Sequence, residues 1–304
     1  MTTQIILRHP ILKDITELAE NLDDDSLSYN ISPSKDTITL GATDFQEWAA
    51  AVGALNGGWI DHFVYDFLRR LDLDRLEQSC IGLIAAHSIL RTVFTFQLGQ
   101  VHMEIPSEQK IPFQVHQVTI DELDSKSNEI YEKHRISPLG IPIVRFDLIM
   151  ASSTRHRLIL KLSHAKYDGF CARTFGQHLR LLYFSLPLPQ TLPFHEYVRK
   201  IQEPGLIHEA ETYWQEYLKN SQMPRLVRRI RSGPPFNNTL DRELRRSVTE
   251  PNLLSHGVTS AALVKTAWVL TISSLLSQSM DVVFGDFTAG RQMSIPGVET
   301  VVGP

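Results

Sequence analysis

Apolar positions alternate along Phe94, Phe96 and Leu98, pause at Gly99-Gln100, and alternate again along Val101, Met103 and Ile105. That pattern predicts a β-hairpin, because neighbouring strand side chains point to opposite faces and a glycine suits the reversal. Val144, Phe146, Leu148 and Met150 repeat the alternation. A polar turn then leads into Arg157-Leu158-Ile159-Leu160-Lys161-Leu162, apolar enough for a partly or wholly buried strand. Ile60 to Leu68 reads as a further strand. Elsewhere the period lengthens. Leu73, Leu76, Cys80, Leu83, Ile84 and His87 fall at helical spacing within a helix predicted over about 73–89, and Phe170 to Phe184 suits a second. Residues 193–220 supply two more helices. Beyond them the pattern predicts a strand over 240–248, a helix over 258–277 and a strand over 282–287. The sheet is expected to be mixed or antiparallel with helices packed on it, an α+β fold in the form of a two-layer sandwich.

Residues 21–43 contain Asp23-Asp24-Asp25 and then a Ser-, Asn- and Pro-containing run without sustained period, which predicts a linker. Arg225, Arg228, Arg229 and Arg231 read as a solvated crossing to a second lobe, with a docking patch for an acidic partner as the alternative. With 304 residues, 42% of them hydrophobic, the chain is long enough for one large core or two moderate ones. A formal net charge of -4 gives no electrostatic basis for binding nucleic acid or an anionic membrane. The longest apolar stretch, Ala261 to Leu276, is broken by Lys265, Ser273 and Ser274 and reads as a buried helix, not a membrane span. Cys80 and Cys171 are the only cysteines, which argues against a disulfide framework and suits a reducing, cytoplasmic setting.

The candidate chemistry lies at Ser163-His164-Ala165-Lys166-Tyr167-Asp168-Gly169, between the strand ending near Leu162 and the helix beginning near Phe170. A strand-to-turn-to-helix junction fixes side chains well, and an aspartate entering a helix is stabilised by the exposed amides there. An imidazole that is mostly neutral near pH 7 can take a proton from a nucleophile attacking a carbonyl, so the segment suits acyl transfer without a covalent intermediate. His87, with no carboxylate or cysteine at metal spacing, reads as a packed core histidine, not a ligand. Cys171 has no neighbour that would lower its pKa and is not read as a nucleophile.

The His-x-x-x-Asp-Gly run formed by His164, Asp168 and Gly169 resembles the active-site motif of nonribosomal peptide synthetase condensation domains, with Ser163 in place of the usual first histidine. The Ser-His start is similar to the terminal condensation-like domains of fungal synthetases. These release a finished peptide, often by cyclising it, and tend to carry Ser or Thr where this chain has Cys171. Three further segments follow the same family in order. Ala86-His87-Ser88-Ile89-Leu90-Arg91-Thr92-Val93-Phe94 resembles its early Arg-His-x-x-Leu-Arg-Thr-x-Phe motif, and Glu211 to Leu218 its helix with a Tyr-Trp pair. Val283-Phe284-Gly285, Ala289-Gly290-Arg291 and Pro296 to Pro304 resemble its Gly-Arg and Gly-Pro segment in the second lobe. Ile6 to Ala19 resembles the last helix of a peptidyl carrier domain.

The resemblance implies a chloramphenicol-acetyltransferase-like fold of two lobes with a tunnel between them. It divides the chain into a carrier-helix remnant over 1–20, the linker over 21–43, an N-terminal lobe over 44–224 and a partial C-terminal lobe over 225–304. It implies that His164 orients or deprotonates an attacking amine and that the Gly169 amide stabilises charge on the thioester oxygen. Asp168 becomes a structural residue facing Arg291 of the other lobe, and Ser163 either lies beside the substrate or fills the space of the missing histidine. No cofactor is expected on the chain itself; the substrate would ride on the phosphopantetheine of a peptidyl carrier domain. Two other readings stand beside condensation or cyclising release. One is a stand-alone coenzyme A-dependent acyltransferase, and the other is an inactive fragment or docking remnant of a synthetase.

Overall fold

The computed structural model describes residues 36–110, 112–221, 247, 258–276, 281–286 and 288–304. The described residues up to Glu203 join Ala289–Pro304 in one compact unit, and those within Pro204–Thr288 form another. The stretch resembling a carrier helix and the run Arg225 to Arg231 lie outside the described residues, as does, but for Ser247, the strand expected over 240–248.

The first unit begins with β1 (Ile38–Gly41), inside the span expected to be linker, followed by α1 (Asp44–Asn56) and β2 (Ile60–Phe67). Thr43 and Gln46 close a capping box at the start of α1, a signature legible in the sequence as Thr-x-x-Gln. Next come α2 (Leu73–Ala86), the one-turn α3 (Ser88–Arg91), β3 (Val93–Gln97), β4 (Gln100–Ile105) and β5 (Phe113–Gln117). Then follow α4 (Leu123–Lys133), β6 (Arg145–Met150), β7 (His156–Ser163), α5 (Gly169–Tyr183) and α6 (Phe194–Ile201). The predicted long helix over 73–89 therefore breaks at His87, whose extended backbone ends α2 and opens α3.

The hairpin β3–β4 forms as predicted, but its loop is Leu98-Gly99 and not Gly99-Gln100, since Gln97 pairs with Gln100. Both loop residues have positive φ, 52° and 84°, as the tight hairpin turn matched to strand twist requires. Leu98 is thus a fully exposed turn residue and not the last apolar strand position.

Two sheets result, a three-stranded antiparallel β1-β4-β3 and a four-stranded β2-β7-β6-β5 in which β5 runs parallel to β6 and the other pairs are antiparallel. The four-stranded sheet is covered on both faces. Phe146, Leu148, Leu158, Leu160 and Leu162 join α2 and α5 in the main core. Ile149 and Ile159, pointing the other way, meet Leu123 and Ile130 of α4. Double coverage explains why β6 is buried almost along its whole length and not on alternate residues.

The segment Ala289–Pro304 returns to this unit. Val298, Val301 and Val302 enter the main core beside Phe194 and Val198 of α6, and Thr300 accepts the Leu192 amide on its hydroxyl at 2.9 Å. Gly303 lies so close to Phe194 that a Cβ there would fall 2.1 Å from the ring. In the second unit, α7 (Pro204–Tyr217) and α8 (Ser260–Leu275) fulfil the helical predictions. However, α8 is not the buried helix expected: Val264, Trp268, Leu270 and Leu275 are exposed. Residues 281–286 form no strand, and no described strand lies beside them to complete a ladder.

Candidate active site

Strand β7 ends at Ser163, paired with Ile60 of β2, and the chain then makes one 3-10 turn, His164–Lys166, before α5. Nearly every residue of this connection is fastened to a different part of the unit. The His164 amide donates to the Trp59 carbonyl at 2.8 Å, and Gln46 of α1 donates from its side chain to the Ala165 carbonyl at 3.1 Å. Lys166, with no exposed surface, reaches the Leu90 carbonyl of α3 at 3.2 Å. The Tyr167 hydroxyl donates to the Asp61 carboxylate on β2. The turn is therefore held in place before any substrate arrives.

Ser163 has no exposed surface, and its hydroxyl accepts the Ala165 amide at 3.2 Å. It shapes the turn from inside, its hydroxyl committed to the amide two residues on.

Asp168 caps α5, accepting the amides of Phe170 at 3.1 Å and Cys171 at 2.9 Å. Its carboxylate also receives the Arg291 guanidinium, whose Nη2 extends to the carbonyls of Val301 and Gly303 at 3.2 and 3.1 Å. Burial acts to raise the pKa of Asp168, but the Arg291 hydrogen bond and the Cys171 amide outweigh it and hold the carboxyl below its ordinary value. Arg291 was expected to reach in from another lobe; its segment belongs to the same compact unit as Asp168.

The side chain of His164 is left for chemistry. Its Nδ1 lies 2.9 Å from the Tyr167 carbonyl oxygen. A carbonyl only accepts, so Nδ1 carries the proton and Nε2 presents a lone pair. Among the described residues, Nε2 has no hydrogen-bond partner, and the residue is partly exposed. The ring stacks on Tyr167 at 4.5 Å and meets the edges of Trp59 and Phe45 at centroid distances of 4.7 and 5.5 Å. Burial first, and then the Asp61 hydrogen bond, push the Tyr167 hydroxyl upward, so it stays a protonated donor.

Gly169 opens α5, where an amide has no carbonyl one turn earlier to bond. Asp168 occupies the next two amides, and a Cβ on Gly169 would meet nothing within 4 Å. The glycine is required neither by a neighbour nor by positive φ; it keeps space open at the helix entry. Cys171 is fully buried, and burial pushes its thiol up to about 12, which removes it as a nucleophile. His87 is also buried, as expected, with Nε2 2.9 Å from Nδ1 of His178. Among the described residues no cluster of side chains could hold a metal ion.

Sequence reasoning missed Gln46, Trp59, Lys166 and Tyr167. The capping box marks Gln46, and Gly57-Gly58 before Trp59 marks a reversal, but only the fold shows that the first turn of α1 and the loop after its end both touch the turn. Trp59 has φ of 65°, a left-handed conformation that costs a bulky residue about 1 kcal/mol and often accompanies a functional site.

The chain is similar to known proteins in sequence and in fold. The family model of the condensation domain matches residues 48–304. Nonribosomal peptide synthetase apmB of Penicillium brevicompactum is 31% identical over 335 residues, spanning 100% of this chain and 14% of the relative. Nonribosomal peptide synthetase 1 of Aspergillus fumigatus is 32% identical over 270 residues, 87% of this chain and 4% of the relative. The chain thus spans a small part of the curated relatives it matches. A crystal structure of a protein designated CT superposes with a TM-score of 0.73 at 23% identity, covering 97% of this chain and 64% of that one. A variant of the starter condensation domain of rhizomide synthetase gives 0.63 at 15% identity, covering 86% and 65%. These likenesses show the fold, which is chloramphenicol-acetyltransferase-like. With most of its length matched by the family model and its His-x-x-x-Asp-Gly turn held as described, the chain belongs to the condensation domain family of nonribosomal peptide synthetases.

Proposed function

We propose that this chain catalyses acyl transfer from a peptidyl thioester, carried on the phosphopantetheine arm of a peptidyl carrier domain, to an amine. The observation that carries the reading is the uncommitted Nε2 of His164, whose lone pair is fixed by the Nδ1 hydrogen bond to Tyr167 at 2.9 Å. His164 Nε2 takes the proton as the amine attacks the thioester carbon. The amide at Gly169 donates to the oxygen that becomes negative, and collapse of the adduct releases the carrier thiol, to which the proton returns. Asp168 and Arg291 hold the entry to α5 in register with the histidine.

The finer assignment is peptide release by the terminal type of condensation domain, including cyclisation when the attacking amine belongs to the same peptide. The Ser163-His164 start supports it. The two free cysteines are in keeping with a cytoplasmic enzyme, and among the described residues no helix is long and apolar enough to cross a membrane.

The test is single-turnover conversion of a carrier-loaded peptidyl thioester by the purified chain, followed by mass spectrometry of product and carrier. Amide product formed by the wild type and lost in His164→Ala is expected. Undiminished turnover in that variant would remove the histidine from the reaction.

A further inference from the structure

A cavity of about 420 Å³ opens between the segment after α4, from His134 to Val144, and the strands β6 and β7. None of the residues lining it belongs to the His164 turn. Three of its polar groups are buried and have bonding capacity to spare. Lys161 is 8% exposed, and its ammonium makes one hydrogen bond, to the Ile136 carbonyl at 3.2 Å, although it has three protons to give. Arg145, 9% exposed, spends Nε and Nη2 on Asp147 and Nη2 also on Gln114, leaving Nη1 without a partner among the described residues. Ser137, 3% exposed, has a buried hydroxyl with no partner.

Uncommitted donors are uncommon in a folded interior, and here they come together from a strand pair and a loop. Lys161 and Arg145 are cross-strand partners in the β6–β7 register. Asp147, which balances Arg145, is already shared with His116 at 2.8 Å, so no carboxylate is bonded to Lys161. The surrounding histidines are held neutral, so they neither add to nor offset the charge of the two cations. His134, in the cavity wall, is lowered to about 4 by burial and then by Arg145 and Lys161. His62, opposite Lys161 on β2, is lowered to about 4 by burial and then by Lys161, and its Nε2 is buried without a partner. The remaining wall combines apolar Pro112, Pro138, Ile141, Pro142 and Ile143 with charged Glu132, Lys133 and Arg135, so that with Arg145 and Lys161 the cations of the lining outnumber its one carboxylate.

We propose that this cavity binds a small organic anion, its oxyanion group held by Lys161, Arg145 and Ser137 and a compact apolar body held against the Pro138–Ile143 wall. Carboxylate and phosphate groups share the required chemistry, several acceptor oxygens around one negative charge or two. The site stands apart from acyl transfer and does not depend on that function.

Calorimetric titration of the full chain with inorganic phosphate, with butyrate, and with chloride at matched ionic strength tests the proposal, together with ring resonances of His134 in NMR spectra. Saturable binding of phosphate, butyrate or both, with a shifted His134 signal and no comparable response to chloride, is expected. Binding of one oxyanion alone identifies the group the cavity takes. Lys161→Met should weaken binding by about tenfold or more, and Ser137→Ala, which alters no charge, should weaken it by a few-fold and serves where the lysine variant does not fold. His164→Ala should bind as the wild type does. Absence of a saturable response beyond chloride, affinity unchanged by the cavity substitutions, or a loss in His164→Ala as large as in Lys161→Met would each overturn the assignment.

Discussion

The Nδ1 atom of His164 and the carbonyl oxygen of Tyr167 are 2.9 Å apart, while the two rings stack with centroids separated by 4.5 Å. One residue thereby sets both the tautomer and the tilt of the other. Because the hydrogen bond runs to backbone, the imidazole orientation survives changes to the Tyr167 side chain better than changes to the turn. His164→Ala should lower the rate of thioester conversion by about 10²–10⁴-fold, as loss of a general base does. Its melting temperature should stay near that of the wild type, since the His164 amide bond to Trp59 is retained. Product formation under single-turnover conditions and a thermal melt check the two halves of this statement.

Asp168 and Arg291 should behave in the opposite way. Their side chains are 20% and 11% exposed, so deleting either leaves a charge largely deprived of water and partner. Breaking a fully buried pair costs about 3–5 kcal/mol, and residual exposure places Asp168→Ala or Arg291→Ala at about 2–3 kcal/mol. The double variant should cost less than the sum, which urea unfolding in a double-mutant cycle measures. Asp168 has a lowered folded pKa, so the stability it contributes is present above its unfolded value of about 3.9 and lost as pH falls through the folded one.

Lys166 gives the chain a pH dependence of the other kind. Burial lowers it to about 7, against about 10.4 for an exposed lysine, so between those values the unfolded chain holds a proton that the folded chain has released. Unfolding free energy therefore rises with pH across that window, by at most about 1.4 kcal/mol per pH unit from this residue. Below about 7 the folded protein carries the buried charge and gains nothing from the group. Lys161, lowered to about 8 by burial and then by Arg145, acts in the same direction. In Lys166→Met the slope should flatten by one proton's worth, read as the difference between wild-type and variant urea curves over that range.

Trp59 separates backbone strain from side-chain contact. At φ of 65°, Trp59→Gly relieves the left-handed conformation while Trp59→Ala retains it, and both remove the ring beside His164. The glycine variant should be more stable than the alanine variant by about 1 kcal/mol. Both should turn over more slowly than the wild type. Equal stability of the two would show that the conformation carries no cost here.

Neither thiol should react in the folded state. Burial pushes Cys171 up to about 12 and Cys80 higher still, so the thiolate is scarce and shielded at neutral pH. Alkylation by iodoacetamide, mapped by mass spectrometry, should mark both cysteines only in denaturant, and Cys171→Ala should keep its turnover.

Much of the fold was legible in the chain because hydrophobic period survives wherever one face is wet. The β3–β4 hairpin, β2, α5 and the two helices between 193 and 220 were all read in place. The reading failed where burial or context erased the period. Strand β6 is legible as a strand while its burial on both faces is not, α1 carries only a weak apolar stripe with its polar Gln46 buried, and β5 gains its partner from β6, far along the chain. At the site, His164, Asp168, Gly169 and Arg291 are singled out by the family motifs that their segments resemble. What spacing cannot supply is the third dimension of the turn. Lys166 and Tyr167 occupy variable positions, and their anchors at Leu90 and Asp61 are 76 and 106 residues away.

The main chain departs from one unit after Glu203 and re-enters it at Ala289. A protease cutting in between would sever the backbone without parting its products. Gly303 wedged on Phe194, the Thr300 hydroxyl on the Leu192 amide and the Arg291 fork on Asp168 would retain the tail as a bound peptide. Such a nicked protein would migrate as two bands in detergent yet elute as one particle, and a supplied tail peptide could be exchanged in to carry altered residues at the site.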